Sequence, residues 1–397
     1  MRISTENAYA ATIDALQQRQ QRLADAQQQL SSGKRVARPS DDPAAAARSE
    51  RALAASARSD ADQRALQASR SAMQQSEAAL GSAGELLQRA HELMVAAGNG
   101  SYGDGERAKI GLELAGLRAQ LLNLANQGDG GGGYLFAGQG AAEPPFVDGV
   151  GGVSFRGTAG ALQLPAGERL PLTMDGAATW LAARSGNGVF VTAPAAGNGP
   201  GAWIDAGRVT DPAALTGDAY RIEFQVSAGL TTWSVLRNGL PTALVGQPYQ
   251  SGQAISFDGM SVTVNGNPAT GDAFELQPAA PDLSVFEVLD RAVAELQTAN
   301  RSPAQVTQTV QTALRDLDAC SANLQQRRTV AGEALSRIDR LEGRLADAKL
   351  QAQTERSLAE DLDLVQAVSD FQNQQSGYDA ALKAYSMVQR LSLFQYL

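Results

Sequence analysis

The stretch VQTALRDLDACSANLQQRRTVAGEALSRIDRLEGRLADAKLQA, residues 310–352, decides the fold of this chain. A small or apolar side chain recurs in it every seven residues, at Val310, Leu317, Leu324, Ala331, Ile338, Leu345 and Ala352. A seven-residue repeat keeps one seam of a helix facing a partner helix. The stretch therefore predicts a long helical rod whose core includes Val310, Leu317, Leu324, Ile338 and Leu345.

The segment that follows this rod is apolar and poor in charge. From Leu364 to Leu397 its only charged side chains are Asp370, Asp379, Lys383 and Arg390. A helix over this segment would carry Tyr378, Leu382, Tyr385 and Val388 on one face. We expect partners to bury a long helix with so few charges.

The N-terminal flank carries a weaker heptad. Leu16, Leu23 and Leu30 repeat every seven residues, and Ile13, Gln20 and Gln27 lie three residues before each of them. Glutamine at two of the seam positions weakens the predicted pairing. Gly33 should end this helix, because glycine adopts the left-handed conformation of a helix C-terminus at little cost.

Two further helices are predicted before the middle of the chain. The first begins at Ser40-Asp41-Asp42-Pro43, where Ser or Asp can cap the free amides and Pro43 suits the first helical position. It meets no strong breaker before Gly98-Asn99-Gly100, about 55 residues later or roughly 80 Å of helix. Asp104 can cap the second helix, which should end near Asn126.

The middle of the chain has the composition of a β-rich domain. Residues 128–271 hold 28 of the 40 glycines, and residues 144–281 hold 12 of the 15 prolines. Tyr220, Ile222, Phe224 and Val226 alternate with polar residues, as in a strand with one buried face. Asn238-Gly239 and Asp258-Gly259 favour type I′ hairpin turns, and residues 271–276 resemble a closing strand.

These patterns predict an α+β multidomain fold, in which helices from both chain termini form a long antiparallel coiled-coil rod with an inserted β-rich domain. We predict a terminal helical domain from residues 1–42 and 361–397. Residues 43–138 and 282–360 would form the rod, and residues 139–281 the β-rich domain.

Composition narrows the classes of function. The 33 basic and 42 acidic residues give a net charge of −9, which argues against a nucleic-acid partner, since such a protein needs a basic surface. No apolar run reaches the roughly 20 residues that a membrane span needs, so no membrane partner is predicted. The N-terminus also lacks the pattern of a secretory signal peptide.

Candidate chemistry is sparse. The single histidine, His91, cannot build a metalloprotease site or a serine-hydrolase triad in the β-rich domain. A carboxylate pair such as Glu223 with Asp258 leaves a hydrolase in that domain as an open alternative. The single cysteine, Cys320, lies beside the heptad seam and is expected to be a small buried apolar residue. We therefore predict no catalytic residue, no cofactor and no metal site.

Both ends of the chain carry recognisable motifs. They are MRIST (Met1–Thr5), QLSSGKRV (Gln29–Val36), PSDDP (Pro39–Pro43), DFQNQQSGYD (Asp370–Asp379) and AYSMVQRLSLFQYL (Ala384–Leu397). With these motifs the chain resembles the flagellin superfamily, strongly at both flanks and weakly in the middle. The resemblance implies a structural protein of the bacterial flagellum without chemistry of its own.

Within that family, the motifs favour a component of the junction between hook and filament, and flagellin itself is the nearest alternative. A cytoplasmic coiled-coil signalling module is a third interpretation. The junction role implies four partners: copies of the same chain in a ring or tube, a preceding hook-associated protein, flagellin, and an export chaperone at the C-terminal helix. It also implies type III export to the extracellular flagellum without a cleaved signal. The predicted assembly residues are Ile13, Leu16, Leu23, Leu30, Phe371, Tyr378, Leu382, Tyr385, Val388, Leu391 and Phe394.

Overall fold

The structure, a computed structural model, describes residues 5–141, 143–166 and 168–394, with side chains described for residues 10–141, 143–163 and 169–387. The chain divides into two compact units. The terminal unit comprises residues 1–64 and 340–397, and the central unit comprises residues 65–339. The helices are α1 (Thr5–Ser32), α2 (Pro43–Ala97), α3 (Asp104–Ala125), α4 (Gly176–Trp180), α5 (Val285–Gln297), α6 (Pro303–Glu360) and α7 (Leu364–Phe394).

Local signals set the predicted helix ends in the terminal unit. Gly33 has φ of +68°, and its amide donates to the Gln29 carbonyl at 2.9 Å, which closes α1. The Asp42 carboxylate accepts a 3.0 Å hydrogen bond from the Ala45 amide, and Pro43 is the first residue of α2. The predicted 55-residue helix is confirmed, because α2 runs from Pro43 to Ala97.

The predicted cap of α3 is wrong by one residue. Gly103 occupies the cap position, where its amide donates to the Glu106 carboxylate at 3.1 Å. Asp104 is the first helical residue, and its carboxylate accepts a 2.9 Å hydrogen bond from the Asn300 amide. The carboxylate therefore ties the start of α3 to the loop between α5 and α6.

In the central unit α2 and α6 pack antiparallel. Ion pairs join Arg70 to Asp339 at 2.6 Å, Glu77 to Arg328 at 2.6 Å and His91 to Asp318 at 3.4 Å. Residues later in α2 thus pair with residues earlier in α6, which is the antiparallel arrangement. The predicted seam residues of α6 in this unit are all buried; they are Val310, Leu317, Leu324, Ala331 and Ile338. The helices α3 and α5 pack on the same apolar core.

Two small hairpins and several aromatic rings extend this helical core. The hairpins are β1 (Phe146–Gly149) with β2 (Gly152–Phe155), and β3 (Gln163–Ala166) with β4 (Glu168–Pro171). Phe136, Trp180 and Phe286 are buried, with ring centroids 5.3 and 6.2 Å apart between Trp180 and its two neighbours. The short strands β5 (Ala183–Arg184) and β16 (Pro281–Leu283) pair where the chain enters and leaves the β-rich insertion.

The insertion contains two sheets around a separate core. Its strands are β6 (Phe190–Pro194), β7 (Ala202–Ile204), β8 (Arg208–Val209), β9 (Tyr220–Ser227), β10 (Leu230–Arg237), β11 (Leu240–Pro241), β12 (Gln247–Pro248), β13 (Ala254–Phe257), β14 (Met260–Gly266) and β15 (Ala273–Pro278). One sheet has the order β11-β10-β9-β15-β6, with β12 also on β10. The other has the order β13-β14-β7, with β8 also on β14. All named pairs are antiparallel.

The predicted turns and strand faces of the insertion are confirmed. Asn238, Gly239, Asp258 and Gly259 all have positive φ, between 41° and 81°, as type I′ turns require. Tyr220, Ile222 and Phe224 are buried, whereas Val226 near the strand end is 38% exposed. The predicted α+β fold class, with helical flanks around a β-rich insertion, is confirmed by these elements.

Candidate assembly surface

The helices α1 and α7 pack against each other in the terminal unit. On α1 the predicted assembly residues Ile13, Leu16, Leu23 and Leu30 are half-buried, and none is fully buried. On α7 three aromatic side chains seven residues apart, Phe371, Tyr378 and Tyr385, are also half-buried. A tightly packed pair of helices would bury its facing side chains more completely. This pair therefore leaves part of its apolar surface uncovered.

A second side of α7 carries exposed apolar side chains. Leu364, Val365, Val368, Leu382 and Met387 are exposed, with Val365 at 85% and Leu382 at 41%. Leu382 is thus more exposed than Tyr378 and Tyr385, with which the sequence grouped it. The other predicted residues of this helix, Val388, Leu391 and Phe394, lie outside the residues whose side chains the structure describes.

The end of α6 and the start of α2 also carry exposed apolar residues. Leu350 and Leu358 on α6 are 64% and 79% exposed, and Leu53 on α2 is 43% exposed. Large exposed apolar side chains in such number can mark sites of protein interaction where they adjoin. The sequence analysis did not select these three residues, because it followed the heptad seam and not the opposite helix faces.

Backbone and side-chain hydrogen bonds hold the start of α7 beside the end of α1. The Arg35 amide donates to the Glu360 carbonyl at 2.7 Å, and the Leu362 amide donates to the Gly33 carbonyl at 3.0 Å. The Arg35 guanidinium donates to the Ala359 carbonyl at 2.9 Å. The Gly33–Arg35 part of the QLSSGKRV motif thus forms the connection that places α1 against α7.

Glu360 is the centre of a polar cluster at this connection, which we call the Glu360 cluster. Its carboxylate accepts a hydrogen bond from the Ser49 hydroxyl at 2.7 Å and pairs with Lys34 at 3.3 Å and Arg356 at 2.8 Å. Burial opposes ionisation of Glu360, but the hydrogen bonds from Ser49 and Lys34 and the charge of Arg356 outweigh it and lower the pKa of this carboxyl. The cluster therefore favours the charged carboxylate.

The PSDDP motif also has a structural use. The hydrogen bond from the Ala45 amide, followed by the one from Arg35, lowers the pKa of Asp42. The Asp41 carboxylate accepts hydrogen bonds from the Arg38 and Ala37 amides at 2.7 and 3.1 Å. Both carboxylates thus accept hydrogen bonds from the chain itself: Asp42 caps α2, and Asp41 holds the turn before it.

The rod-core residues fall into both units. Leu317, Leu324 and Ile338 are at most 3% exposed, and Val310 is buried. Leu345 lies in the terminal unit and is half-buried. The structure also contains a seam that the sequence analysis missed, on α2, where Leu66, Met73, Leu80, Leu87 and Met94 are buried every seven residues. The seven-residue spacing is present in the sequence. The repeat was not recognised because Ser69 and Ser76 occupy the second set of heptad positions, where apolar residues are expected.

The carboxylate pair considered for an enzyme has other partners. Glu223 pairs with Arg221 at 2.9 Å, whereas Asp258 accepts a hydrogen bond from the Tyr220 hydroxyl at 2.6 Å. Among the described residues no group of three or more His, Cys, Asp or Glu side chains is arranged to hold a metal ion. Within the same residues, no helix combines the length and apolarity that crossing a membrane requires.

Cys320 is a buried free thiol, as the sequence predicted. Burial, followed by the charge of Asp316, raises the pKa of Cys320 to about 12. Because the thiolate is the reactive form, this cysteine is chemically inert near neutral pH.

Two families of known domains match the chain. Residues 3–141 match the bacterial flagellin N-terminal helical region. Residues 194–278 match the D2-like domain of flagellar hook-associated protein 1. The first match covers α1, α2 and α3, and the second covers most of the β-rich insertion.

Known proteins resemble the chain over larger regions. Flagellar hook-associated protein 3 of Salmonella typhimurium is 32% identical over 152 residues, which are 38% of this chain and 48% of that protein. The alignment thus spans about half the length of this curated relative. The solved structure of Xanthomonas campestris FlgL has a TM-score of 0.67 and 28% identity, covering 77% of this chain and 99% of that one.

A further solved structure is described as the flagellar junction protein FlgL from Legionella pneumophila. It has a TM-score of 0.65 and 27% identity, covering 70% of this chain and 95% of that one. The flagellin domain match, the relatives and the helical flanks around a β-rich insertion agree with one another. The chain thus carries a region similar to the flagellin N-terminal helical region, and over most of its length it resembles hook-associated protein 3.

Proposed function

We propose that the chain is a structural component of the bacterial flagellum that joins the hook to the flagellin filament. The observation that carries this proposal is the structural similarity to a flagellar junction protein over nearly the whole of that protein. The apolar side chains exposed on α7 and at the end of α6 support it, because a junction subunit needs surfaces that neighbouring subunits can cover.

In this role the protein has no catalytic activity and needs no cofactor or metal. Copies of the chain assemble into a ring or tube through α1 and α7, with a preceding hook-associated protein on one side and flagellin on the other. The residues proposed to make these contacts are the predicted assembly residues of α1 and α7, together with Leu350, Leu358, Leu364, Val365 and Val368. The protein works outside the cell, after export by the flagellar type III system without a cleaved signal.

Deletion of the gene in its own bacterium tests the junction role. We expect electron microscopy to find hooks without filaments, and we expect flagellin monomers in the medium, because flagellin is still exported but has no junction to grow from. Complementation with the full chain should restore filaments. Filaments that persist in the deletion strain would contradict the proposal.

The second candidate function is a filament subunit, favoured by the flagellin match over residues 3–141. The same deletion separates the two functions. A filament subunit would be lost from the medium with the filament, whereas loss of a junction protein leaves free flagellin in the medium.

We also propose that an export chaperone binds residues within about 350–397. The exposed apolar side chains of α7 would promote aggregation in the cytoplasm, so a partner has reason to cover them before export. A helix laid in an apolar groove is the expected mode of binding. Calorimetry with a variant lacking residues 358–397 tests this: we expect affinity to be lost while the β-rich insertion stays folded, and undiminished affinity would refute the assignment.

A further inference from the structure

The β-rich insertion and the helices of the central unit have separate apolar cores. Before the insertion the last residue of the helical core is Ala183, and after the insertion the first is Val285. The core of the insertion begins at Phe190 and ends at Leu276, and the two buried clusters share no residue. The position of the insertion on the helices is therefore not fixed by shared apolar packing.

Polar side chains on one face of α6, and on the residue before it, contact the insertion instead. The Ser302 hydroxyl donates to the Pro200 carbonyl at 2.7 Å, and the Gln308 side-chain oxygen accepts a 2.9 Å hydrogen bond from the Ile204 amide. The Arg315 guanidinium donates to the Thr192 carbonyl at 3.0 Å and lies 3.2 Å from its hydroxyl. We call Ser302, Gln308 and Arg315 the β-domain clasp.

The clasp contacts strands at the ends of both sheets. Thr192 belongs to β6, the last strand of the larger sheet, and Ile204 belongs to β7, the last strand of the smaller one. Backbone groups of an edge strand lack a neighbouring strand to bond to. The clasp supplies hydrogen-bond partners to both edges at once, so it fixes two sheets and not a single loop.

A buried ion network holds Arg315 in place. Its guanidinium donates to the Asp316 carboxylate at 2.9 Å, and Arg291 on α5 pairs with the other oxygen of Asp316. The Asp316 side chain is 3% exposed and the Arg315 side chain is 10% exposed. Buried ion pairs contribute little net stability compared with apolar packing, but they require one defined geometry.

We propose that Arg315 is a positioning residue that sets the orientation of the β-rich insertion on the helices of this chain. With Arg315 in place, its contacts with Asp316 and Thr192, together with the pairing of Arg291 to Asp316, hold the insertion in a single orientation. Without it, Asp316 keeps its partner Arg291 and both apolar cores remain intact, but only the hydrogen bonds of Ser302 and Gln308 hold the insertion beside α6, so the insertion samples a wider range of orientations about the paired β5 and β16.

Distance measurements between spin labels test this proposal in the full-length protein. One label is placed at Gln225→Cys on β9 and the other at Gln88→Cys on α2, because both side chains are exposed. The native Cys320 is buried with a raised pKa, so it should not react with the label. We expect a single narrow distance distribution in the protein that is otherwise wild type.

Arg315→Gln should broaden and shift that distribution, while the melting of the two cores stays close to wild type. Arg315→Lys, which keeps the charge but not the planar fork, should give an intermediate distribution.

The matched control is Arg328→Gln, since Arg328 is also on α6 but pairs with Glu77 within the helices. If Arg315→Gln prevents folding, Arg315→Lys alone replaces it, and its distribution should still be broader than that of the wild type. An unchanged distribution with a lowered melting temperature would overturn the proposal, since Arg315 would then act on stability alone.

Discussion

Two pairs of helices in this protein use similar sequence patterns with different results. In the central unit α2 and α6 bury a continuous seam, and Leu317, Leu324 and Ile338 are almost inaccessible to solvent. In the terminal unit α1 and α7 keep their facing residues half-buried and leave Val365 and Leu382 exposed. The difference separates a pair that buries its seam within one chain from a pair that leaves apolar side chains exposed, which we propose other chains cover.

Composition explains this difference. The central seam has α3 and α5 as further partners on the same core, so its apolar residues have neighbours on several sides. The seam of α1 contains Gln20 and Gln27, and both are exposed. A glutamine in a seam costs desolvation if it is buried without partners, so the pair stays open on that side.

The largest expected effect comes from a charge placed in the central seam. Leu324→Asp or Ile338→Asp should lower the free energy of unfolding by about 4 kcal/mol or more, because each buries a carboxylate without a partner. Chemical denaturation of the purified protein measures this change. The control is Gln325→Asp, at an exposed neighbouring position, which should be nearly neutral. An unchanged midpoint for Ile338→Asp would show that the heptad assignment is wrong.

A matched pair of truncations compares the two regions directly. Leu324→Ala should cost about 3 kcal/mol, because it leaves a cavity in a packed core, whereas Leu382→Ala should cost less than about 0.5 kcal/mol in the isolated chain. Both values come from denaturant titrations monitored by circular dichroism. Equal costs at the two positions would remove the distinction between the helix pairs.

The smallest expected effect is a pH dependence in the terminal unit. The pKa of Glu360 is lowered in the folded protein, so its contribution to stability is present above its ordinary pKa of about 4.5 and is lost as the pH falls through the depressed value. Glu360→Gln should remove this part of the acid dependence, and Glu355→Gln, on an exposed side of α6, should leave it in place. Thermal melting between pH 3 and pH 7 checks both variants. A Glu360→Gln protein with the acid dependence of the wild type would exclude the Glu360 cluster as its source.

The sequence predicted those features that depend on neighbouring residues. Gly33 ends one helix, and Asp42 with Pro43 begins the next. Asn238-Gly239 and Asp258-Gly259 form the turns that their residue types favour. The heptad that starts at Val310 predicted a buried seam because the positions of a helix that face a packed partner helix recur every seven residues. These signals are local, so tertiary context did not override them.

Features that depend on distant parts of the chain could not be predicted. Arg315 contacts Thr192 across 123 residues, and nothing in its own surroundings in the sequence points to β6. The division of the α7 face into half-buried Tyr378 and exposed Leu382 depends on where α1 lies. The turn at Ala228-Gly229 was missed because alanine seldom adopts the positive φ of 51° that it has here.

Hydrogen exchange followed by mass spectrometry tests the central claim most directly, in the purified monomer and in isolated flagella that contain the chain. In the monomer we expect the central parts of α2 and α6 to be strongly protected and α1 and α7 to exchange much faster. In flagella we expect α1 and α7 to gain protection while the central helices change little, because neighbouring subunits would then cover the exposed apolar side chains. Equal protection of α1 and α7 in the two states would contradict the account, since their apolar surface would then not be an assembly surface.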